Sequence, residues 1–240
     1  MPKPFKEWTV LPHGKLMRVD ENILAVGGDL HMPLGDFPRR MTVVRLAAGR
    51  LVVFSAIALH ESEMLALEQF GTPAFLIVPN ELHRMDAKIW KDRYAPMIVI
   101  APPSVREKVE KVVAVDQTAV DFGDPHVRFV VVPGTAEHEA ALEVESSTGT
   151  TLVINDLIWN VKDRPGFGGL IFRLLGMTGD EPRIPSVVQL RAVKDKTALR
   201  NQLERWSQLR NLNRIIVSHG SIIVRDPAAT LHHLAESLAA

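Results

Sequence analysis

Four apolar segments of this sequence are each followed directly by side chains that can bind a metal ion or move a proton. The segments are 74–78, 128–132, 152–154 and 214–217, and they lead to His83 and Asp86, to His138, to Asp156 and to His219, respectively. Imidazole and carboxylate groups together suit zinc, manganese or iron. Because ligands in layered α/β folds bind beyond the carboxyl ends of strands, such side chains would converge without long loops. The pattern therefore predicts a metal site.

Each of these side chains also has an ordinary structural explanation. His83 could form hydrogen bonds within its own loop, and Asp86 could cap the helix that follows it. Asp156 comes straight after a buried strand, so it needs a partner, which either a metal ion or His219 would provide. His219 precedes Gly220 in a predicted sharp turn, where a structural role is equally plausible. His138 lies between glutamates and is expected to be a solvated loop residue rather than a ligand.

The elements that position these side chains begin as β-structure. Residues 42–46 and 50–54 flank Ala-Ala-Gly and predict a β-hairpin with Gly49 at its turn. Residues 22–26 predict another strand. Residues 26–40 contain three glycines and two prolines, a composition that predicts a loop.

From residue 61 onward, predicted helices alternate with apolar strands. Predicted helices cover 61–70, a segment opened by a capping box of Ser104 and Glu107, an amphipathic stretch over 199–209, and a last helix after Asp226. Strands that are apolar throughout are buried on both faces, so helices must cover the sheets. The predicted fold class is a layered α/β sandwich with mixed sheets.

Composition limits the classes of partner and compartment. Lys and Arg together number 28, as do Asp and Glu, so neither nucleic acid nor an anionic membrane is expected as a partner. The sequence has no cysteine, which excludes disulfides and thiolate zinc sites. No signal peptide and no apolar stretch of roughly 18 residues is recognisable. We expect a soluble cytoplasmic protein with a single domain over residues 1–240, a small-molecule substrate or ligand, and an oligomeric state that the sequence leaves open.

The order of these motifs resembles that of the metallo-β-lactamase superfamily. The shared order is a strand with a ligand cluster, a strand with Pro133-Gly134, a strand with Asp156, and a strand with Ser-His-Gly at 218–220. The hairpin at 41–54 is similar to one in an uncharacterised branch of small bacterial proteins whose metal motif is weakened. The resemblance covers roughly residues 15 to 225 and implies a four-layer αββα sandwich with mixed sheets and a site along one edge.

The sequence departs from the first motif of that superfamily, His-x-His-x-Asp-His. Residues 81–86 occupy the position of this motif, and they keep only its second histidine, as His83. Glu81 and Asp86 offer oxygen ligands in place of the two outer histidines. Met85 stands where the superfamily has an aspartate that binds a second metal, which methionine does poorly. The resemblance therefore argues against a two-metal site.

This sequence matches the later motifs of the superfamily more closely than the first. Thr135 replaces the histidine of Pro-Gly-His, but Asp156 matches the bridging aspartate and His219 matches the final histidine. The resemblance implies at most one divalent metal, with zinc favoured over manganese and iron, or no metal at all. The implied ligands are His83, Asp86, Asp156 and His219.

Three functions follow from this comparison with the superfamily. One is a hydrolase-like protein whose single metal activates water against an ester, amide or phosphoester. The alternative is a non-catalytic protein of the same fold that binds a small molecule or a protein partner, and an iron redox enzyme is a third option. No catalytic residue is assigned from the sequence. The apolar segment from Phe167 to Leu175 predicts core, with a lid or dimer face as the alternative.

Overall fold

A mixed sheet of six strands forms one half of the molecule. The computed structural model describes residues 3–32, 35–163, 165–174 and 176–238. In spatial order the larger sheet contains β1 (Met17–Asp20), β2 (Ile23–Met32), β3 (Gly35–Arg45), β4 (Arg50–Phe54), β5 (Thr72–Ile77) and β6 (Ile98–Ile100). Pairing is antiparallel from β1 to β4 and parallel from β4 to β6.

A second mixed sheet of four strands packs against the first. Its spatial order is β10 (Leu212–Gly220), β9 (Gly149–Asn160), β8 (Ala140–Ser146) and β7 (Val127–Val131). The β10–β9 pair is parallel and the other two pairs are antiparallel. Phe54 and Phe75 of the larger sheet share one buried cluster with Leu142 and Ile216 of the smaller sheet. The two sheets therefore meet face to face.

Helices cover the other face of each sheet. They are α1 (Glu61–Phe70), α2 (Ala87–Arg93), α3 (Arg106–Glu110), α4 (Gly166–Leu174), α5 (Ser186–Ala192), α6 (Lys196–Ser207) and α7 (Pro227–Ser237). Met64 of α1 and Trp90 of α2 belong to a core on the larger sheet, whereas Trp206 of α6 and Leu231 of α7 belong to a core on the smaller sheet. This is the predicted αββα order. Among the described residues, no helix is long and apolar enough to cross a membrane.

Several predicted elements are confirmed. The 42–54 hairpin forms from β3 and β4, and Gly49 turns it with a φ of 76°. The predicted helix at 61–70 is α1, and the long amphipathic helix is α6. Asp226 caps α7 by accepting a hydrogen bond from the backbone N–H of Ala229.

The predicted loop over 26–40 is wrong for the described residues, because β2 and β3 pair with each other up to Met32 and Gly35; residues 33–34 of the predicted loop lie outside the described residues. Gly28 in this region serves a close backbone contact rather than a turn. Gly14 donates its backbone N–H to the carbonyl of Gly27, and a Cβ added at Gly28 would lie 3.2 Å from the carbonyl oxygen of Pro12. Glycine inside a strand commonly marks such an approach.

Two further predictions fail. Ser104 donates its hydroxyl to the carbonyl of Ala136 instead of capping a helix, and a 3-10 turn (Pro103–Val105) leads into the short α3. The apolar segment near residue 170 forms α4, in which Leu170 and Leu174 are exposed rather than buried in the core. Leu175 and the side chain of Phe167 lie outside the described residues.

Asp20 ties the two sheets together at the end of β1. Its Oδ2 accepts hydrogen bonds from Thr148 Oγ1 at 2.7 Å and Ser146 Oγ at 2.9 Å, and it pairs with Arg214 of β10. Burial alone would raise the pKa of Asp20, but these donors outweigh it and lower the pKa from 3.8 to about 2. The ionised form therefore stabilises the fold.

We expect Asp20→Asn to lower the free energy of unfolding at pH 7 by about 3 kcal/mol, because it leaves Arg214 without its carboxylate. Since the folded pKa is depressed, this stabilisation is complete above about pH 4 and disappears as the pH falls toward about 2. Urea unfolding of both proteins across this pH range measures the effect. Asp92→Asn, in an exposed pair with Lys88, is the control and should change stability by less than about 0.5 kcal/mol. A constant gap between parent and Asp20→Asn from pH 7 to pH 2 would contradict the assignment.

Candidate metal centre

Three of the four predicted ligands come together at one edge of the sandwich. His83 Nε2 lies 3.0 Å from Asp156 Oδ1, and His219 Nε2 lies 2.6 Å from the same oxygen. One ligand atom from each residue falls within 4.8 Å of the other two, so the group could hold a metal ion. His83 belongs to the loop after β5, Asp156 to β9 and His219 to the end of β10. His83 thus lies beyond a strand end and His219 at one, as predicted from the sequence, whereas Asp156 lies inside its strand.

The sequence suggested that Asp156 ends its strand. In the structure, Asp156 instead lies within a bulge of β9. Ile154 pairs with Val217 of β10, and the next pair joins Trp159 to His219. Residues 155–158 of β9 therefore face a single residue of β10. Extra residues in one strand re-aim the local side chains, and here the bulge carries the Asp156 carboxylate to both imidazoles.

The far nitrogen of each imidazole is held by a second partner. His219 Nδ1 lies 2.7 Å from the carbonyl oxygen of Pro38, and His83 Nδ1 lies 2.6 Å from Ser55 Oγ. A carbonyl only accepts, so His219 Nδ1 must donate, and in the neutral imidazole the Nε2 lone pair then faces Asp156. Two lone pairs at this distance require a cation, either a proton or a metal ion.

Ser55 reaches His83 because of its backbone conformation. It follows β4 directly and has a φ of 57°, in the left-handed region that residues other than glycine seldom adopt. Such conformations persist only where the surroundings enforce them, and they are frequent at functional sites. The backbone at Ser55 therefore presents a hydroxyl to the imidazole.

A buried carboxylate pair lies behind the cluster. Asn80 donates hydrogen bonds of 2.7 Å to Glu139 Oε1 and to Asp156 Oδ2. Burial would raise the pKa of Asp156, but His83 and His219 outweigh it and hold the pKa well below its usual value. Burial and the Asp156 charge raise the pKa of Glu139 well above its usual value. These opposite shifts favour the protonated form of Glu139 and the ionised form of Asp156.

Asp86, the fourth predicted ligand, lies outside this cluster and is already paired. Its Oδ2 accepts a 2.6 Å hydrogen bond from Arg39, and its Oδ1 accepts a 2.9 Å bond from the backbone N–H of Ala58. Both side chains are buried, with 10% of Arg39 and 2% of Asp86 exposed. Burial raises the pKa of Asp86 despite the contact with Arg39. Asp86 is not a side-chain N-cap of α2 either.

The other candidate residues at the motif positions form hydrogen bonds or ion pairs with residues outside the cluster. Glu81 binds Lys108 at 2.9 Å and Arg191 at 2.5 Å, and these cations lower its pKa against the effect of burial. Thr135 donates its hydroxyl to the carbonyl of Val132. His138 bonds through Nδ1 to carbonyl oxygens of its own loop. None of these three belongs to the metal-ligand group found among the described residues.

The cluster forms the polar end of a cavity of about 370 Å³. Its walls also include Phe37 of β3, Trp159 of β9 and Phe172 of α4. The rings of Phe37 and Trp159 lie 4.7 and 4.8 Å from the His219 ring, centroid to centroid. Apolar side chains therefore adjoin the candidate ligands directly.

Sequence reasoning missed four residues that support the cluster, namely Pro38, Ser55, Asn80 and Glu139. Asn80 and Glu139 carried a usable signal, because both follow apolar strand segments that had been singled out. Pro38 acts through its carbonyl, which no residue type reveals. Ser55 depends on a left-handed backbone that nothing in the local sequence indicates.

The architecture matches solved metallo-β-lactamases. FIM-1 from Pseudomonas aeruginosa, in its mono-zinc form, has a TM-score of 0.61 and 11% identity, with 95% of this chain and 96% of that chain covered. DIM-1 exposed to ceftazidime gives 0.62 and 13%, covering 95% and 99%, and VMB-1 at pH 5.5 gives 0.64 and 12%, covering 97% and 100%. No protein-family model and no curated protein matches the sequence. The chain has the metallo-β-lactamase fold.

We expect Asp86→Ala to lower the free energy of unfolding of the chelated protein by about 3–5 kcal/mol, because Arg39 would keep a buried charge without its partner. The double variant Arg39→Met/Asp86→Leu should recover most of this loss, since it removes both charges. Urea unfolding in the presence of a chelator measures both changes. Glu110→Ala, in an exposed pair with Arg106, serves as the control. Equal instability of the single and double variants would contradict the buried-pair assignment.

Proposed function

We propose that this chain, which has the metallo-β-lactamase fold, binds one divalent metal ion through His83, Asp156 and His219 and hydrolyses a small molecule. The observation that carries the proposal is the convergence of three ligand atoms on the wall of one cavity. Catalytic zinc sites typically use three protein ligands and keep a further position for water or substrate. Two imidazoles and one carboxylate meet that requirement.

The surroundings of these ligands fit a metal ion. Metal-binding histidines usually donate their other ring N–H to a carbonyl or carboxylate, which fixes the ring. The Pro38 carbonyl holds His219 in this way, and Ser55 Oγ is placed to accept from His83 Nδ1. Asn80 holds Asp156 Oδ2 and so leaves Oδ1 facing the imidazoles. We propose zinc, with manganese and iron as competitors that share this donor set.

A single metal is proposed because the other motif positions are engaged. Glu81 is neutralised by Lys108 and Arg191, and Asp86 is neutralised by Arg39. Met85 lines the cavity where an oxygen ligand would be required for a second ion. Without further ligands among the described residues, a two-metal mechanism has no support.

The residues of the site have separable roles in the proposed reaction. A bound divalent cation would supply Lewis acidity, which lowers the pKa of water and polarises the bond under attack. The chain itself orients both imidazoles through Pro38 and Ser55, and it holds Asp156 ionised through hydrogen bonds. Glu139 accepts the other hydrogen bond of the Asn80 amide and so helps to position it. Apolar walls limit the access of bulk water to the reacting group.

A ligand-binding protein without catalysis is the second candidate. It is favoured by the direct hydrogen bonds between both imidazoles and Asp156. With a proton in place of a metal ion, these bonds satisfy the polar atoms of the cluster. For either function we propose a small-molecule ligand, with neither nucleic acid nor a membrane as partner, because the net charge is zero. The absence of cysteine from the sequence is compatible with the cytoplasmic location that we propose.

We expect the purified, untagged protein to hold about one metal ion per chain. His219→Ala and His83→Ala should each lower metal affinity by about tenfold to a hundredfold, since each removes one of three protein ligands. Elemental analysis, followed by zinc, manganese and iron titration of the chelated protein, gives the stoichiometry and the preferred metal. A metal-dependent rise in melting temperature should be present in the parent and smaller in both variants at the same metal concentration.

Two control variants separate ligand loss from general damage. His126→Ala removes an exposed histidine outside the site, and Asp86→Ala removes a buried carboxylate outside the cluster. Both should keep the metal stoichiometry of the parent, although the second is destabilised. No bound metal and no thermal shift with any of the three metals would overturn the hydrolase proposal and leave the binding function.

A further inference from the structure

We infer that Ser55, His83 and Asp156 form a nucleophilic triad, in which the Ser55 hydroxyl attacks a substrate when no metal ion is bound. The attacking group would then be a serine oxygen rather than water activated by a metal ion, which goes beyond the reaction proposed above. All three residues line the cavity. The hydrogen bonds among them, the backbone at Ser55 and a nearby backbone donor carry the inference.

The three side chains form one chain of hydrogen bonds. Ser55 Oγ lies 2.6 Å from His83 Nδ1, and His83 Nε2 lies 3.0 Å from Asp156 Oδ1. A serine is activated when a neighbouring imidazole accepts its proton and a carboxylate orients that imidazole. Serine hydrolases commonly place Nε2 toward the serine and Nδ1 toward the carboxylate, so here the two nitrogens exchange these roles. The chemistry requires only that one nitrogen accepts while the other donates.

The carboxylate of Asp156 determines which nitrogen of His83 carries the proton. When no metal ion is bound, ionised Asp156 only accepts, so in neutral His83 the proton lies on Nε2. The Nδ1 lone pair then faces Ser55, whose hydroxyl donates to it. A divalent ion on Nε2 would leave the ring proton on Nδ1, and the serine would lose its base. Metal binding and the serine reaction therefore exclude one another.

The backbone at Ser55 is also of the kind that holds a nucleophile. Ser55 directly follows β4 and has a φ of 57°. In α/β-hydrolases the nucleophilic serine likewise occupies a sharp, strained turn after a strand, which presents its oxygen to the substrate. Ser55 is only 4% exposed, yet it lines the cavity. It thus adjoins the space for a substrate without lying on the open surface.

The residue after Ser55 offers a donor for the negative oxygen that forms during the attack. In α/β-hydrolases the backbone N–H after the nucleophile stabilises this oxyanion. Ala56 lines the cavity, and its backbone N–H has no acceptor among the described residues. The N–H of Ser55 donates to the carbonyl of Ile77, and that of Ala58 donates to Asp86. The Ala56 N–H therefore remains available for a ligand.

The reaction balances between the chain, the substrate and one water molecule. Ser55 Oγ forms a bond with the acyl carbon of an ester as its proton moves to His83 Nδ1. The carbon–oxygen bond of the ester then breaks, the leaving alcohol takes that proton, and acyl-Ser55 remains. Water attacks the acyl carbon and gives a proton to His83, and Ser55 regains this proton as the acid leaves. The sum is ester plus water giving acid plus alcohol.

Covalent labelling of the chelated protein tests the nucleophile. Phenylmethanesulfonyl fluoride should form about one adduct per chain at Ser55, where a sulfur–oxygen bond replaces the sulfur–fluorine bond. p-Nitrophenyl acetate, quenched in acid, should leave an acetyl group on the same residue. Mass spectrometry of the protein and its peptides locates both adducts. Ser55→Ala should form neither, whereas Ser207→Ala, which removes a part-buried hydroxyl on α6, should be labelled like the parent.

Histidine variants and zinc test the base and the competition with metal. His83→Ala keeps the serine but should slow labelling about a hundredfold, the lower end of what a positioned base contributes. One equivalent of zinc should protect Ser55 in the parent. In His219→Gln, which loses a proposed metal ligand but keeps the triad, the zinc concentration needed for protection should rise about tenfold or more. Thermal melting shows that each variant is folded.

The outcomes separate the triad from the proposed metal-dependent reaction. No adduct at Ser55 in the chelated parent, equal labelling of His83→Ala, or zinc that binds without protecting Ser55 would overturn the triad. Ester hydrolysis that requires zinc and is undiminished in Ser55→Ala would also overturn it and would support the metal-dependent reaction. Labelling of Ser55 in a protein that binds none of the three metals would overturn the metal-dependent reaction and keep the triad.

Discussion

The buried negative charge of Asp156 is the constraint on which the site depends. A carboxylate removed from water is costly unless cations or hydrogen-bond donors compensate it. Here two imidazoles meet Oδ1 and an amide donor meets Oδ2. These partners come from two segments remote from β9, namely the loop after β5 and the end of β10, so the charge is accommodated only when both sheets and that loop are in place. Formation of the fold and assembly of the site are therefore linked by electrostatics.

The hairpin of β2 and β3 extends this linkage across the interface between the sheets. Pro38 in β3 fixes the ring of His219 in β10, and Arg40 donates a hydrogen bond to the carbonyl of Val217 in the same strand. Burial lowers the pKa of Arg40. A buried guanidinium bound to a carbonyl positions strands rather than recognising an anion. These strands thus connect the larger sheet to the candidate metal centre.

Sequence patterns predicted the layers and three members of the cluster because both depend on local signals. Apolar runs mark buried strands, and a polar residue at the end of such a run is placed by the strand itself. His83, Asp156 and His219 are of this kind. The paired strands β2 and β3 were mistaken for a loop because glycine and proline signal turns, whereas Gly28 lies within a strand and allows the distant backbone at Pro12 to approach. Asp86 was included among the ligands because it stands at the last position of the first motif, and nothing nearby in sequence indicates its pairing with Arg39.

The bulge in β9 has a consequence for how such a site can change over evolutionary time. Regular pairing with β10 resumes on both sides of residues 155–158, at Ile154 and at Trp159. A substitution or a change of length inside this short stretch can be absorbed there, without shifting the register of the ladder on either side. The paired strands and the candidate ligand Asp156 can therefore vary independently of one another. A lineage could lose, regain or exchange its ligands at this position while the surrounding sheet stays the same.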